Sequence, residues 1–198
     1  MQKIILATSS PYRQEAFRFL DLDFVAEDSA VDEKFEGRPD SPQELVLHLA
    51  KLKAEAVARN HSSGIVIGFD SVGWFDGKIL EKPESKKEAV QRLKDLSGNS
   101  HQFFTGVFMK NLESGKEISK LVETETEIRN LSDAEIEKYL EQDPRFNTYA
   151  LGYDPLGHFS STFVRRINGS YNNILRGIPL EAIVEMLPEV GYEIIAKK

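Results

Sequence analysis

The stretch from Ile65 to Leu80, IVIGFDSVGWFDGKIL, constrains the fold of this chain more than any other. Ile65–Phe69 is an unbroken apolar run and reads as a strand covered on both faces. It continues through Ser71–Phe75 to Asp76-Gly77, a two-residue turn sequence, and Lys78–Leu80 returns as the second arm of a β-hairpin. Asp70 stands directly after the apolar run. A carboxylate is expensive to bury without a partner, so it is expected at a strand end facing a cleft, where it could bind a metal or act as a base. A turn aspartate bonded to nearby backbone is the alternative, and the residues leave both open.

Around this hairpin, strand-like and helix-like segments alternate. Residues 3–7 read as a buried strand, 11–20 as a helix with Ser10 at the N-cap and Pro11 in its first position, and Phe24–Ala26 as a short strand. Ser41-Pro42-Gln43-Glu44 opens a long helix reaching about Asn60, with Leu45, Leu49, Leu52 and Ala56 as its apolar stripe. Ser85–Leu96 is an amphipathic helix closed by Gly98. His101–Met109 and Ile118–Arg129 are long strands joined by a turn at Glu113-Ser114-Gly115. Ser132 caps a helix to about Gln142, Phe163–Ile167 is a strand, Leu180–Leu187 a helix and Tyr192–Ala196 a final strand. Long antiparallel hairpins mixed with strand–helix units predict an α/β domain with a mixed sheet. The 198 residues suit one domain, without internal repeats or linkers.

Composition excludes several functions. A net charge of −7 argues against non-specific binding of long nucleic acid. A small anion needs only a few cations at one point. No stretch approaches the roughly 18 apolar residues of a membrane helix, and Ile4–Ala7 is too short for a signal peptide. With no cysteine there is no thiolate nucleophile or Cys-based zinc site, and the cytoplasm is the expected compartment. The four histidines, His48, His61, His101 and His158, lack metal-ligand spacing. His101, just before a strand, is expected to be structural, and no G-x-S-x-G elbow supports a serine hydrolase.

Other groups could meet a ligand. Thr8, Ser9 and Ser10 precede a helix start, where free N–H groups and the helix dipole favour anions, and Arg13 adds a fixed charge. The same residues also make an ordinary capped helix. Asp32-Glu33 lies on an irregular segment and suits Mg²⁺ shared with phosphates, or is a solvated acidic loop. Lys53, among small residues on the long helix, could reach into a cleft or snorkel to solvent. Lys82, before Pro83, could point inward or stay solvated.

Taken in order, these blocks resemble the Maf family of septum-formation-type nucleotide pyrophosphatases. Leu6 to Phe17 stands where that family has L-A-S-x-S-P-R-R-x-E-L-L. Asp32-Glu33 matches its D-E, Lys53-Ala54 its K-A, Val66 to Val72 its V-I-G-x-D-[ST]-V, and Asp76 to Pro83 its D-G-x-I-L-x-K-P. Leu96 to Val107 resembles L-S-G-x-x-H-x-V-x-T-G-V. Ser132–Tyr139 resembles S-x-x-E-I-x-x-Y, and Gly169 to Asn173 with Gly177 to Leu180 its closing motif. The match spans nearly the whole chain.

The resemblance implies one domain over 1–198, an elongated mixed β-sheet with flanking helices and two lobes around a cleft, similar to the inosine-triphosphatase group. It implies hydrolysis of nucleoside triphosphates to monophosphate and pyrophosphate, clearing modified or excess nucleotides. Asp70 would be general base or water orienter, and Glu33 with Asp70 would hold Mg²⁺ or Mn²⁺. Thr8, Ser10, Arg13, Lys53 and Lys82 would grip phosphates, and a homodimer is implied. Two departures stand out. Tyr12 replaces the family's first arginine, and residues 149–158 carry neither of the family's base-reading patterns, G-x-Y-x-I-Q-G or F-K-x-E-G. The rival readings are an inosine- or xanthosine-triphosphatase and a nucleotide-binding septation regulator without catalysis.

Overall fold

The structure, a computed structural model, describes residues 2–194. Among the described residues seven strands form one mixed sheet. They are β1 (Ile4–Ala7), β2 (Phe24–Glu27), β3 (Ile65–Phe75), β4 (Lys78–Leu80), β5 (Ser100–Asn111), β6 (Glu117–Ile128) and β7 (Val164–Gly169). Their order is β2-β1-β3-β5-β6-β7, with β4 paired to β3 beside this path. The helices are α1 (Pro11–Phe17), α2 (Pro42–Ala58), α3 (Lys86–Leu96), α4 (Asp133–Gln142), α5 (Tyr171–Arg176) and α6 (Leu180–Glu189). None of the described helices is long and apolar enough to cross a membrane. By its contacts the chain divides into two units.

The first unit comprises Met1–Ser71, Thr105–Val122 and Arg176–Lys198. Here β1 pairs in parallel with both β2 and β3, Ile4 lying opposite Phe24 and Ile65. Alternation along β1 and β3 divides the core. Ile4, Leu6, Ile65, Ile67 and Phe69 pack with Phe17 of α1 and Ile183 and Leu187 of α6. Ile5, Ala7 and Val66 pack with Ala50, Ala54 and Val57 of α2. Both faces are therefore covered, which explains the unbroken apolar runs.

Helix α2 buries Leu45 and Leu49 of the stripe expected for it, but Leu52 and Ala56 are only half-buried. Pro42, Val46, Ala50, Ala54 and Val57 are buried instead. The sheet opposite explains the rotation. A Cβ on Gly68 of β3 would stand 2.1 Å from the Ala50 carbonyl oxygen, and one on Gly106 of β5 would stand 2.2 Å from that of Val46. Helix backbone and strand backbone thus meet directly, at Val46 against Gly106 and at Ala50 and Ala54 against Gly68.

The second unit comprises Val72–Phe104 and Glu123–Leu175. The β3–β4 hairpin turns at Asp76-Gly77 as expected, and β6 pairs antiparallel with β7. Its core joins Leu93 and Leu96 of α3, Ile136 and Tyr139 of α4, Ile128, Tyr153, Phe163 and Ile174. Glu123 and Glu125 are exposed while Thr124 and Thr126 are fully buried, as the alternation along β6 requires. Ser132 and Glu135 form a reciprocal capping box on α4. Asn173, from the Gly169–Asn173 motif, is buried and donates to Phe103 O (3.4 Å) and Thr124 Oγ1 (3.1 Å).

Two expectations change, and one helix is added. The helix over 11–20 is α-helical only to Phe17 and tightens into a 3₁₀ turn over Arg18–Leu20. Tyr192–Ile194 is not a strand, and residues 195–196 of that expectation lie outside the described residues. The six-residue α5 was not foreseen.

Candidate active site

Asp70 lies within β3, not at its end, and is only 5% exposed. Its cost of burial is offset by Lys53, whose Nζ is 2.6 Å from Asp70 Oδ1. Lys53 can reach because Gly68, two residues before Asp70, lets α2 lie against the strand. The same ammonium is 2.6 Å from Glu33 Oε1, delivered by the irregular segment between β2 and α2. Neighbouring Asp32 turns back and accepts the Lys34 N–H at 2.9 Å. One buried lysine therefore joins two carboxylates, Asp70 in the interior and Glu33 half-exposed. Burial pushes the Asp70 carboxyl above its ordinary range, Lys53 and Arg13 pull it back, and Glu33 pushes it up again.

Arg13 is committed to the protein. Its Nε donates to Gly177 O (2.8 Å), Nη1 to Phe69 O (3.3 Å) and Nη2 to Ser71 Oγ (2.8 Å). Phe69 and Ser71 flank Asp70, so the guanidinium grips β3 on both sides of the carboxylate. Ser71 Oγ also lies 2.7 Å from Thr105 Oγ1 of β5. Gly177 adopts φ +63°, a backbone conformation that favours glycine, and its carbonyl meets Arg13 there. Burial lowers the Arg13 pKa from its ordinary value, against the opposing pull of Asp70 and Glu33.

Thr8 and Ser10 organise the helix entry. Thr8 Oγ1 accepts the Ser10 N–H (3.2 Å), and Ser10 Oγ accepts the Arg13 N–H (3.4 Å). Each hydroxyl keeps its own proton to donate. The Arg176 guanidinium lies over the Tyr12 ring, 6.0 Å from its centroid. Thr8, Ser10, Arg13, Glu33, Lys53 and Asp70 all belong to the first unit. Lys82 belongs to the second, exposed on the segment between β4 and α3. Sequence reasoning missed Ser71, Thr105 and Gly177. The [ST] of the family's V-I-G-x-D-[ST]-V and the Gly-Ile-Pro motif were the signals that could have found them.

Among the described residues no three His, Cys, Asp or Glu side chains are grouped to cage a metal ion. The donor set is instead two carboxylates, Glu33 and Asp70, brought to one point. That suits a hard cation that takes its remaining oxygens from phosphates and water.

The Maf-like protein family matches residues 3–190. A dTTP/UTP pyrophosphatase of Desulforamulus reducens is 37% identical, covering 98% of this chain and 100% of its own. The enzyme of that name from Symbiobacterium thermophilum is 38% identical, covering 98% and 97%. A solved dITP/XTP pyrophosphatase from Mycobacterium abscessus is 14% identical over 94% of each chain, with a TM-score of 0.45. With the family matching nearly the whole chain and full-length relatives this similar, the chain belongs to the Maf family.

Proposed function

We propose that this protein hydrolyses nucleoside triphosphates to the monophosphate and pyrophosphate, with dTTP and UTP, the compounds in its relatives' names, as substrates. The observation that carries the reading is the buried Asp70, raised in pKa and held by Lys53 beside Glu33. A carboxylate pushed toward neutrality is a better match for taking a proton from water. In the reaction a P–O bond forms to water as the bridging P–O bond breaks and pyrophosphate leaves, and Asp70 receives the proton.

Lys53 contributes positive charge for the phosphates and keeps Asp70 oriented. Thr8 and Ser10 supply hydroxyl donors, and Arg13 holds the strand on either side of the base. Glu33 and Asp70 would hold Mg²⁺ or Mn²⁺, which when bound neutralises charge on the triphosphate. In the second unit, Lys82 is assigned to phosphate and the segment 149–158 to the base. Clearance of modified or excess nucleotides in the cytoplasm, by a homodimer, completes the reading.

The test measures pyrophosphate release from dTTP, UTP, CTP, GTP, ITP and XTP with Mg²⁺ or Mn²⁺, by wild type and Asp70→Asn. Turnover of dTTP and UTP that falls at least about a hundredfold in Asp70→Asn is expected, the scale of a lost general base. Activity that survives in Asp70→Asn overturns the role of Asp70. Turnover confined to ITP and XTP overturns the substrate, and none on any triphosphate overturns the enzyme reading.

A further inference from the structure

The mechanism leaves one nearly buried cation unused. Arg92, on α3 in the second unit, has a side chain only 10% exposed. Its Nη1 donates to two main-chain carbonyls far apart in the sequence, Glu81 O and, at 2.7 Å, Ala150 O. Nη2 is 2.8 Å from Glu88 Oε1. Glu88 in turn accepts the Glu84 N–H at 2.8 Å, and Ser85 caps the Glu88 N–H. The guanidinium is thus held on one side by the first turn of α3 and spans two loops on the other.

Both loops matter to the reading above. Glu81 immediately precedes Lys82, and Ala150 lies in the segment 149–158, where this chain departs from its family's base-reading patterns. The bond to Ala150 is reinforced by packing. Leu151 Cδ2 lies 2.6 Å from where a Cβ on Gly73 would stand, and the corresponding point on Gly152 is 3.6 Å from Pro83 Cγ and 3.8 Å from Arg92 Cδ. Residues 150–152 are therefore seated on the β3–β4 hairpin, on Pro83 and on the Arg92 stem.

From this we infer that Arg92 is a positioning residue for the nucleotide, fixing the base-reading segment against the strand end that carries Lys82; the inference rests on the proposed function. The planar fork places Nη1 on two carbonyls and Nη2 on a carboxylate, two separate points held at a fixed spacing. A lysine presents its three donors from a single atom and cannot keep that spacing. The spacing between a phosphate contact and a base contact then becomes a property of one side chain, and so does discrimination among bases.

The experiment compares wild type, Arg92→Met and Arg92→Lys. It reads KM and kcat for UTP, dTTP and CTP, the melting temperature, and amide hydrogen exchange over 149–158. Arg92→Met is expected to raise KM about tenfold with kcat within about twofold, since loss of positioning acts on binding before chemistry. The preference for UTP and dTTP over CTP should shrink, and exchange over 149–158 should rise. Arg92→Lys should recover the melting temperature but not the preference. A folded Arg92→Met or Arg92→Lys with wild-type KM and base preference overturns the inference while leaving the enzyme reading intact. If Arg92→Met does not fold, Arg92→Lys alone decides. A wild type inactive on every triphosphate overturns the enzyme reading, and the inference with it.

Discussion

Gly68 and Ala50 meet backbone to backbone: a Cβ on Gly68 would stand 2.1 Å from the Ala50 carbonyl oxygen. That approach sets how deeply α2 sits on β3, and so whether Lys53 can reach Asp70 at 2.6 Å. Gly68→Ala must push the helix outward, because a main-chain carbonyl cannot swing aside as a side chain would. Overpacking of this kind costs roughly 1–3 kcal/mol, a fall in melting temperature of about 3–10 °C for a chain of this length. The displacement also lengthens the Lys53–Asp70 pair, so kcat should fall in the protein that remains folded. Thermal melts and pyrophosphate release at a temperature where the variant is folded check both. A variant with wild-type melting and kcat would show that the helix position is not set by this glycine.

Arg13 and the residues it bonds lead to a second expectation. Arg13→Met removes the guanidinium bonds to Gly177 O, Phe69 O and Ser71 Oγ, while Ser71 keeps Thr105 Oγ1 at 2.7 Å and Gly177 O keeps Ser71 Oγ at 3.5 Å. A hydrogen bond to a charged group contributes roughly 1.5–3 kcal/mol. Because Phe69 and Ser71 flank Asp70, the variant should melt lower and lose at least about tenfold in kcat, a barrier change of about 1.4 kcal/mol, with little change in KM. The opposite pattern, KM raised with melting and kcat intact, would assign the guanidinium to the phosphates alone.

The contrast between these residues explains what was legible in the sequence. Ser10, Ser41 and Ser132 announced their helices because a cap is a local interaction, complete within three residues. The β3–β4 hairpin was legible for the same reason. Asp70, Glu33 and Lys53 could be picked out as chemical groups, but only through family resemblance could they be joined. The partners of Arg13 lie 56 to 164 positions away, and no periodicity encodes such a contact. Nothing in the sequence singles out Arg92, because its two carbonyl partners lie 11 and 58 positions away on other segments. The buried face of α2 was legible at Leu45 and Leu49 but not beyond, because apolarity alone favoured Leu52, whereas the strand backbone at Gly68 meets Ala50 and Ala54.

His101 makes the stability of the second unit depend on pH. It is fully buried on β5, edge-on to the Tyr153 ring at 6.4 Å, and among the described residues neither ring nitrogen has a hydrogen-bond partner. Burial lowers its pKa from 6.5 to about 4. The folded state therefore refuses a proton that the unfolded chain accepts. Stability contributed by the neutral ring is complete above about pH 6.5 and is lost as the pH falls toward 4, with no further loss below. The shift corresponds to about 3 kcal/mol across that window. His101→Gln has no proton to refuse. Denaturant unfolding of both proteins between pH 7 and 4 should show the stability difference, wild type minus variant, falling by about that amount. Parallel curves would mean that His101 is protonated in the folded protein and that its ring has a partner the buried geometry does not provide.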